Sequence, residues 1–385
     1  MADEVTQEAG MKSVAYAAIA LALASFGDAF LYAFLPVNSL AVGVPVAWVG
    51  IILSINRFIR IFSNTLLVGL FARFGLRWMM IAAVVTAILS TFGYAFSHAI
   101  VSWILLRVLW GLSFSVLRTG ALGYALQQPR VGFALGLSRG LQELGPMIAL
   151  LLAPVFITKL EPRIVFLTLT SLSMPALYFA FTLPRSDHRP VADRQFIRWP
   201  TGLNSITLVS AILIDGIIVI VLGVLFLRFG HAINAITATS LAAIYLGYRR
   251  VCLVVLSPGG GWLADKIGLD RIFNISMLLV LAGLVMIVTG WIAMGAIVVF
   301  TFYSVNASIT PGAISRNAGN SLTSVAENAT WRDVGASLGT LLGGFLISSP
   351  HLLTILGTAV VGLAVLLLFH FDSEKRFTKL LYLWK

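Results

Sequence analysis

The chain has 385 residues, 59% hydrophobic and 11% charged, with a mean hydropathy of +0.97 and a net charge of +11. A soluble domain carries about 25% charged residues, so this composition excludes a soluble globular domain and indicates a polytopic membrane protein. The positive charge suggests nucleic acid only until its placement is considered.

The opening residues Met1–Gly10 are polar and acidic with no basic leader, so no cleavable signal is expected. A span needs about 20 apolar residues. The apolar runs predict helices at 13–36, 46–72, 76–97, 99–127, 131–157, 163–184, 204–229, 233–262, 269–292, 294–314, 320–348 and 350–371. Most connections are a few residues long, which makes consecutive helices antiparallel neighbours. The exception is Pro184–Gly202, which carries Arg185, Asp187, Arg189, Asp193, Arg194 and Arg198. Six helices precede it and six follow. The expected fold is all-α, a polytopic membrane protein of twelve transmembrane helices in two six-helix bundles, 1–184 and 203–385, joined by a cytoplasmic linker at 185–202. Of the 26 Lys and Arg, fifteen fall at the termini or in turns on one side, three on the other (Lys159, Arg163, Arg228) and eight inside apolar runs. The positive-inside rule puts the fifteen-charge side, with both termini, in the cytoplasm of a multi-pass inner-membrane protein. The basicity is therefore mostly topology, and no nucleic-acid partner is expected. The single Cys252 allows no disulfide within the chain and is expected to pack.

Taken in order, the first helix carries Gly27-Asp28 among Phe26, Phe30 and Tyr32. The second holds Asn56, Arg57 and Arg60, with the two arginines one turn apart on one face. The fourth holds Arg107, Gly111 and Arg118. The fifth runs through Arg139, Glu143 and Gly145-Pro146, and Arg139 can pair with Glu143 four residues on. The seventh carries Asp215-Gly216, and the eighth Tyr245, Tyr248, Arg249 and Arg250. On the eleventh, Asn328, Arg332, Gly335, Gly339 and Gly343 share one stripe, a face for close packing or for lining a cavity, and Glu327 and Asp333 lie beside it.

Two short charged turns flanked by apolar runs match at a fixed offset. Gly261-Trp262-Leu263-Ala264-Asp265-Lys266-Ile267-Gly268 is followed by Arg271; upstream, Gly69-Leu70-Phe71-Ala72-Arg73-Phe74-Gly75 is a fainter copy. Gly75 and Gly268 are 193 residues apart, as are Arg73 and Lys266, Arg57 and Arg250, and Arg139 and Arg332. An internal duplication of half the chain is the simplest source. Asp28 and Asp215 are 187 apart and are expected repeat mates after a six-residue length difference. The motif G-x-L-A-D-[RK]-x-G between the second and third helix of each half resembles the loop motif of the major facilitator superfamily. The second copy matches in full, and the first departs from it at Ala72. Arg107-x-x-x-Gly111 is similar to the family's fourth-helix motif, and Gly145-Pro146 to part of its antiporter motif, with Ala149-Leu150 where two glycines are usual. The resemblance implies two pseudo-symmetric bundles rocking about a central site.

A charge at mid-bilayer costs from about 2.5 to about 17 kcal/mol depending on method, so the buried charges must line a cavity, pair, or reach the interface. The eight arginines in apolar runs face five acids: Asp28, Glu143, Asp215, Glu327 and Asp333. Structural pairing accounts for Arg118, and for Arg139 with Glu143. The positive surplus of the set suits an anionic small-molecule substrate. Arg57, Arg60, Arg250 and Arg332, with Asn56 and Asn328, are the expected substrate residues. Asp28 is the expected proton carrier, unless it is fixed to Arg57 or Arg60; Asp215, Glu143 and Glu327 are further coupling candidates. The five histidines lie without ligand spacing, no phosphate loop or nucleophile with a positioned base is visible, and neither metal, cofactor nor enzymatic activity is expected. The function expected is proton-coupled secondary transport, leaning to export. Import of an anionic metabolite or metal chelate, a lysolipid flippase, and a non-transporting sensor are the alternatives. Protons and membrane lipid are the other expected partners, and the chain is expected to act as a monomer.

Overall fold

In lipid every backbone polar group must be satisfied within its own segment, so long apolar runs become helices. A computed structural model describes residues 2–128, 131–184, 199–200, 202–230, 234–316 and 321–383. Most of the expected linker, 185–198, lies outside them. The elements are α1 (Ala2–Ala24), α2 (Phe26–Asn38), a short 3-10 turn (Ser39–Val42), α3 (Val46–Phe74), α4 (Leu76–Tyr94), α5 (Ile100–Leu126), α6 (Val131–Lys159), α7 (Pro162–Ser173), α8 (Pro175–Thr182), α9 (Leu203–Ser210), a π-helical segment (Ala211–Ile218), α10 (Val219–Phe229), α11 (Ala235–Ile267), α12 (Leu269–Val288), α13 (Ile292–Arg316), α14 (Ser321–Leu346) and α15 (Leu352–Leu383). Among the described residues, nine helices are long and apolar enough to cross a membrane, with Ile292–Ala307 a shorter apolar stretch. Together with α3 and α14, which carry intramembrane charges, they form twelve spans. Span 1 is α1 with α2, span 6 is α7 with α8, and span 7 is α9, the π segment and α10. Six spans lie on each side of the linker, so both termini share one side, called here the terminal side.

The first span of each half is interrupted at the depth of its acid. Span 1 breaks at Ser25, three residues before Asp28, and span 7 is π-helical around Asp215. Span 6 breaks at Met174, ahead of Pro175, whose missing N–H cannot continue the ladder. The turns of the repeated motif differ from the sequence expectation. Arg73 lies in the last turn of α3, and Gly261, Asp265 and Lys266 lie inside α11, which runs on to Ile267. The helix continues through Pro258, whose missing N–H costs it one ladder hydrogen bond, and through the triple glycine to Ile267. The side chain of Asp265 is outside the described ones. Only Gly75 and Gly268 form the turns, at φ +75° and +107°, where a Cβ is strained. The repeat is therefore carried by backbone geometry as well as by sequence.

The most extensive contacts between the halves are α3 with α14 and α6 with α11. A shift of six spans converts one pair into the other, as an internal two-fold requires. On the far side, Gly50 of α3 lies against Gly344 of α14, close enough that a Cβ on either would overlap the other backbone. There too, the Asn38 amide donates to the Thr239 hydroxyl at 2.6 Å, tying span 1 to span 8. One buried apolar cluster runs through both halves, from Phe30, Phe34 and Phe166 to Ile214, Leu222 and Phe300. A second, around Val14, Met80, Trp110 and Tyr124, is confined to the terminal side of the first half. The halves are thus sealed together on the far side. Toward the terminal side, Arg118, Asp333 and Arg139 have side chains 41%, 38% and 53% exposed although each lies within a span, so the centre is approached from there.

Candidate substrate and coupling site

Seven spans bring charged side chains together at mid-depth. Asp28 on α2 accepts from Arg107 of α5 at 2.5 Å and from the Asn56 amide of α3 at 3.2 Å. The Arg107 side chain is fully buried, and its Nε donates to the Ile52 carbonyl at 3.0 Å. Asp28 is therefore paired with Arg107, and not with Arg57 or Arg60, the pairing weighed as the alternative to a proton carrier. The reason is span order: α5 packs beside α3 and faces the broken first span, while Arg57 projects toward the other half.

Asp215 is its counterpart in the second half and has more partners. One oxygen accepts from Arg249 of α11, the other from Arg332 of α14 at 3.0 Å and from the Tyr303 hydroxyl of α13 at 2.9 Å. Asn56 and Arg249 are 193 residues apart. The acid of each first span is thus gripped from the second span of its half by residues at matching repeat positions, and from the fourth by Arg107 or Tyr303.

Two arms cross between the halves. Arg57 donates from one terminal nitrogen to the carbonyls of Asp215 (3.0 Å) and Ala336 (2.9 Å), and from Nε to the Tyr32 hydroxyl at 3.2 Å. Arg250 pairs with Glu143 of α6, which also forms an ion pair with Arg139 at 3.4 Å. Arg57 and Arg250 are 193 residues apart, and so are Glu143 and Ala336. The arms are symmetry-related, yet one ends on a carboxylate and the other on main-chain carbonyls. A third crossing, Arg118 to Asp333 at 3.3 Å, lies toward the terminal side.

Arg60, one turn from Arg57, has no carboxylate partner among the described residues. Its Nε donates to the Asn56 carbonyl at 3.2 Å and its guanidinium lies 4.6 Å over the Phe114 ring. Arg57 and Arg60 are thus the surplus cations of the set, one held by carbonyl dipoles and the other by an aromatic face.

The structure separates some candidates from this centre. The Asn328 amide donates to Asn204 (2.9 Å) and Thr207 (2.8 Å) of α9, toward the terminal side. Glu327 is half-buried with no ion-pair partner among the described residues, and Arg73 and Arg271 are exposed at turns. Lys266 is exposed beside its turn. Gly335, Gly339 and Gly343 pack against span 7, and Gly216 of that span lies on Gly339. The small-residue stripe of α14 is therefore a packing face that delivers Arg332 to Asp215, not the wall of a cavity. Gly111 likewise admits the Asn56 backbone, and Gly145, followed by Pro146 within α6, admits the Ala22 carbonyl of α1. Three side chains of this network were not among the expected site residues: Tyr32, Tyr303 and Arg249. Tyr32 is four residues from Asp28 and Arg249 is the repeat mate of Asn56, so both had a signal. Tyr303 had none.

A family model described as Major Facilitator Superfamily matches residues 17–249. No curated protein matches the sequence. Among solved structures, the nucleoside transporter NupG superposes with a TM-score of 0.69 at 14% identity over 94% of this chain and 98% of that one. A point mutant of the same transporter gives 0.68 at 12%, with the same coverage. At such identity the likeness is one of fold.

Proposed function

Since the chain belongs to the major facilitator superfamily, we propose that it is a proton-coupled secondary transporter moving a small anionic organic molecule across the inner membrane by alternating access. The observation that carries the substrate class is the Arg57–Arg60 pair: two guanidinium groups on one face of α3, at mid-depth, without a carboxylate partner among the described residues. A carboxylate or phosphate group would complete their hydrogen bonding bidentately. A neutral nucleoside, the substrate class of the matched transporter, would leave that charge uncompensated. Arg250 and Arg332, with Asn56, would hold the substrate's other end once their own acids are engaged or protonated.

Asp28 is the proposed coupling acid. It has one cationic partner, Arg107, whereas Asp215 has two, and Glu143 is shared between Arg139 and Arg250. A proton on Asp28 would strand one guanidinium, a proton on Asp215 or Glu143 two. Glu327 is left as a secondary candidate on the terminal-side approach. In the rocking cycle the 1–184 and 203–385 bundles pivot about this level, and the far-side contacts of α3 with α14 and of α6 with α11 must part. Arg57 is then released from the Asp215 and Ala336 carbonyls, and a bound anion offers it a replacement acceptor. With the termini in the cytoplasm, the proposed direction is export, on the strength of Gly145-Pro146; the chain is proposed to work as a monomer.

Import of an anionic metabolite or chelate by the same site is the second reading, favoured by the same arginine surplus. Uptake assays in right-side-out and inside-out vesicles, each with and without a pH gradient, separate the two. Accumulation only in inside-out vesicles supports export, and accumulation only in right-side-out vesicles supports import. Transport indifferent to pH and to ion gradients in both would overturn the coupling.

A further inference from the structure

At the far-side end of the first half, the turn between spans 3 and 4 and the turn between spans 5 and 6 enclose a cavity of about 240 Å³. His98, Glu161 and Arg163 at its mouth are exposed, so it meets far-side solvent. Tyr94 lies at its inner end, 3% exposed, and its hydroxyl has no hydrogen-bond partner among the described residues. The Tyr94 ring stacks on Trp103 at 5.0 Å and 10°. Trp103 is fully buried and its Nε1 also has no partner among the described residues. Arg107 lies one turn further along α5. One of its terminal nitrogens holds Asp28, while the other is buried and again unpartnered. The Tyr94 hydroxyl lies beside that guanidinium without closing a well-formed hydrogen bond to it.

Three orphaned polar groups therefore trace a line from a solvent-connected cavity to the Asp28–Arg107 pair. Buried polar groups are almost always hydrogen-bonded, and where no protein atom serves, an ordered water does. Water occupies roughly 30 Å³ in the liquid, so the cavity has room for several.

We propose that this cavity, with Tyr94, Trp103 and Arg107, forms a water file by which protons pass between far-side solvent and Asp28 without entering the central cleft. The proton role rests on Asp28 as coupling acid; the water file does not. A proton arriving along the file is handed from water to the Asp28 carboxylate. The Tyr94 hydroxyl donates one hydrogen bond and accepts another and ends unchanged. The protonated Asp28 then releases Arg107 and keeps Asn56 as its polar neighbour, which the Tyr32 hydroxyl links to Arg57. Substrate and proton would thus use separate doors, and the acid could exchange protons with the far side while Gly50 and Gly344 keep the cleft shut there.

Radiolytic hydroxyl-radical labelling of the full chain in lipid nanodiscs, read by mass spectrometry, marks side chains beside bound water. Tyr94 and Trp103 are expected to oxidise several-fold faster than Tyr124, which is equally buried but donates to the Pro184 carbonyl at 2.9 Å. Ala95→Leu and Val42→Phe, which fill the cavity from two walls, are each expected to bring Tyr94 to the Tyr124 rate. They are also expected to slow gradient-driven accumulation several-fold while leaving substrate exchange unchanged. Equal labelling of Tyr94 and Tyr124 in the unmodified protein overturns the water file, whether or not the variants fold. Labelling as expected with full-rate accumulation in a filled variant overturns the proton route. If the unmodified protein ignores a pH gradient, the proton role falls with the coupling reading, and the labelling distinguishes that failure from failure of the file.

Discussion

Arg57 shows how much one side chain can do at mid-bilayer when its geometry is fixed. It meets a tyrosine hydroxyl with Nε and two carbonyls of the opposite half with one terminal nitrogen. Lysine supplies a point charge and not the fork. Arg57→Lys is expected to lower transport at least about tenfold, equivalent to about 1.4 kcal/mol, with unchanged protein in the membrane; full transport by the Lys variant would make Arg57 a dispensable tether. Asp28→Asn removes the charge beside a fully buried Arg107 and keeps a hydrogen-bonding group. It is expected to abolish accumulation against a gradient and to retain exchange, and full-rate accumulation would remove Asp28 from coupling. Asp215→Asn strands two guanidinium groups instead of one. Breaking a buried pair costs about 3–5 kcal/mol, so the thermal midpoint should fall further for Asp215→Asn than for Asp28→Asn. The identity of the buried charges was legible in the sequence because charge in an apolar run is rare. Their partners were not, because pairing across spans depends on which helices touch. That is why Arg107 and not Arg57 holds Asp28, and why Tyr303, which no motif marks, holds Asp215.

At the level of elements, the contact of span 7 with α14 sets the distance over which Arg332 reaches Asp215. Gly216 lies on Gly339, and a Cβ at position 339 would overlap the Ile212 carbonyl. In lipid, helix association relies on such close backbone approach more than on apolar burial. Overpacking costs about 1–3 kcal/mol and sometimes more. Gly339→Val is therefore expected to lower the thermal midpoint in detergent and to impair transport, although the residue touches no substrate. A midpoint equal to that of the unmodified protein would show that the helices can separate without loss. The sequence placed Asn328, Arg332 and the three glycines on one stripe correctly. It left open whether the stripe faced a cavity or a helix, because small residues serve both. It also read the motif after span 8 as a loop, where α11 continues to Ile267 until a positive φ becomes unavoidable at Gly268.

For the molecule as a whole, the offset of 193 residues foretold the two-fold relation, and the paired contacts of α3 with α14 and α6 with α11 follow from it. What the offset could not foretell is the break in symmetry, Glu143 in one half and the Ala336 carbonyl in the other. Far-side closure is testable at the Asn38–Thr239 contact. With Cys252→Ser as background, Asn38→Cys and Thr239→Cys joined by a short bis-thiol linker are expected to stop transport, and cleaving the linker to restore it. Undiminished transport by the linked protein would mean that the far side does not open there. The topology is tested by labelling Asp187→Cys with an impermeant thiol reagent: access from the cytoplasmic face only is expected, and access from outside would invert the orientation.

The π-helical stretch Ala211–Ile218 bears on how the two bundles can turn against one another. A ladder that closes five residues back instead of four shifts the angular phase of everything beyond it. On the terminal side of this slip, α9 packs within its own bundle, on α14 and α15; on the far side, α10 reaches α2 of the other bundle as well as α11. One continuous helix thus presents different azimuths at its two ends, and its joint lies at the residue that holds two arginines and a tyrosine. Such a segment can absorb twist as a torsion spring does, by trading a π turn for an α turn. Rotation between the bundles then loads span 7 locally, and the Asp215 side chain sits where that torque is taken up.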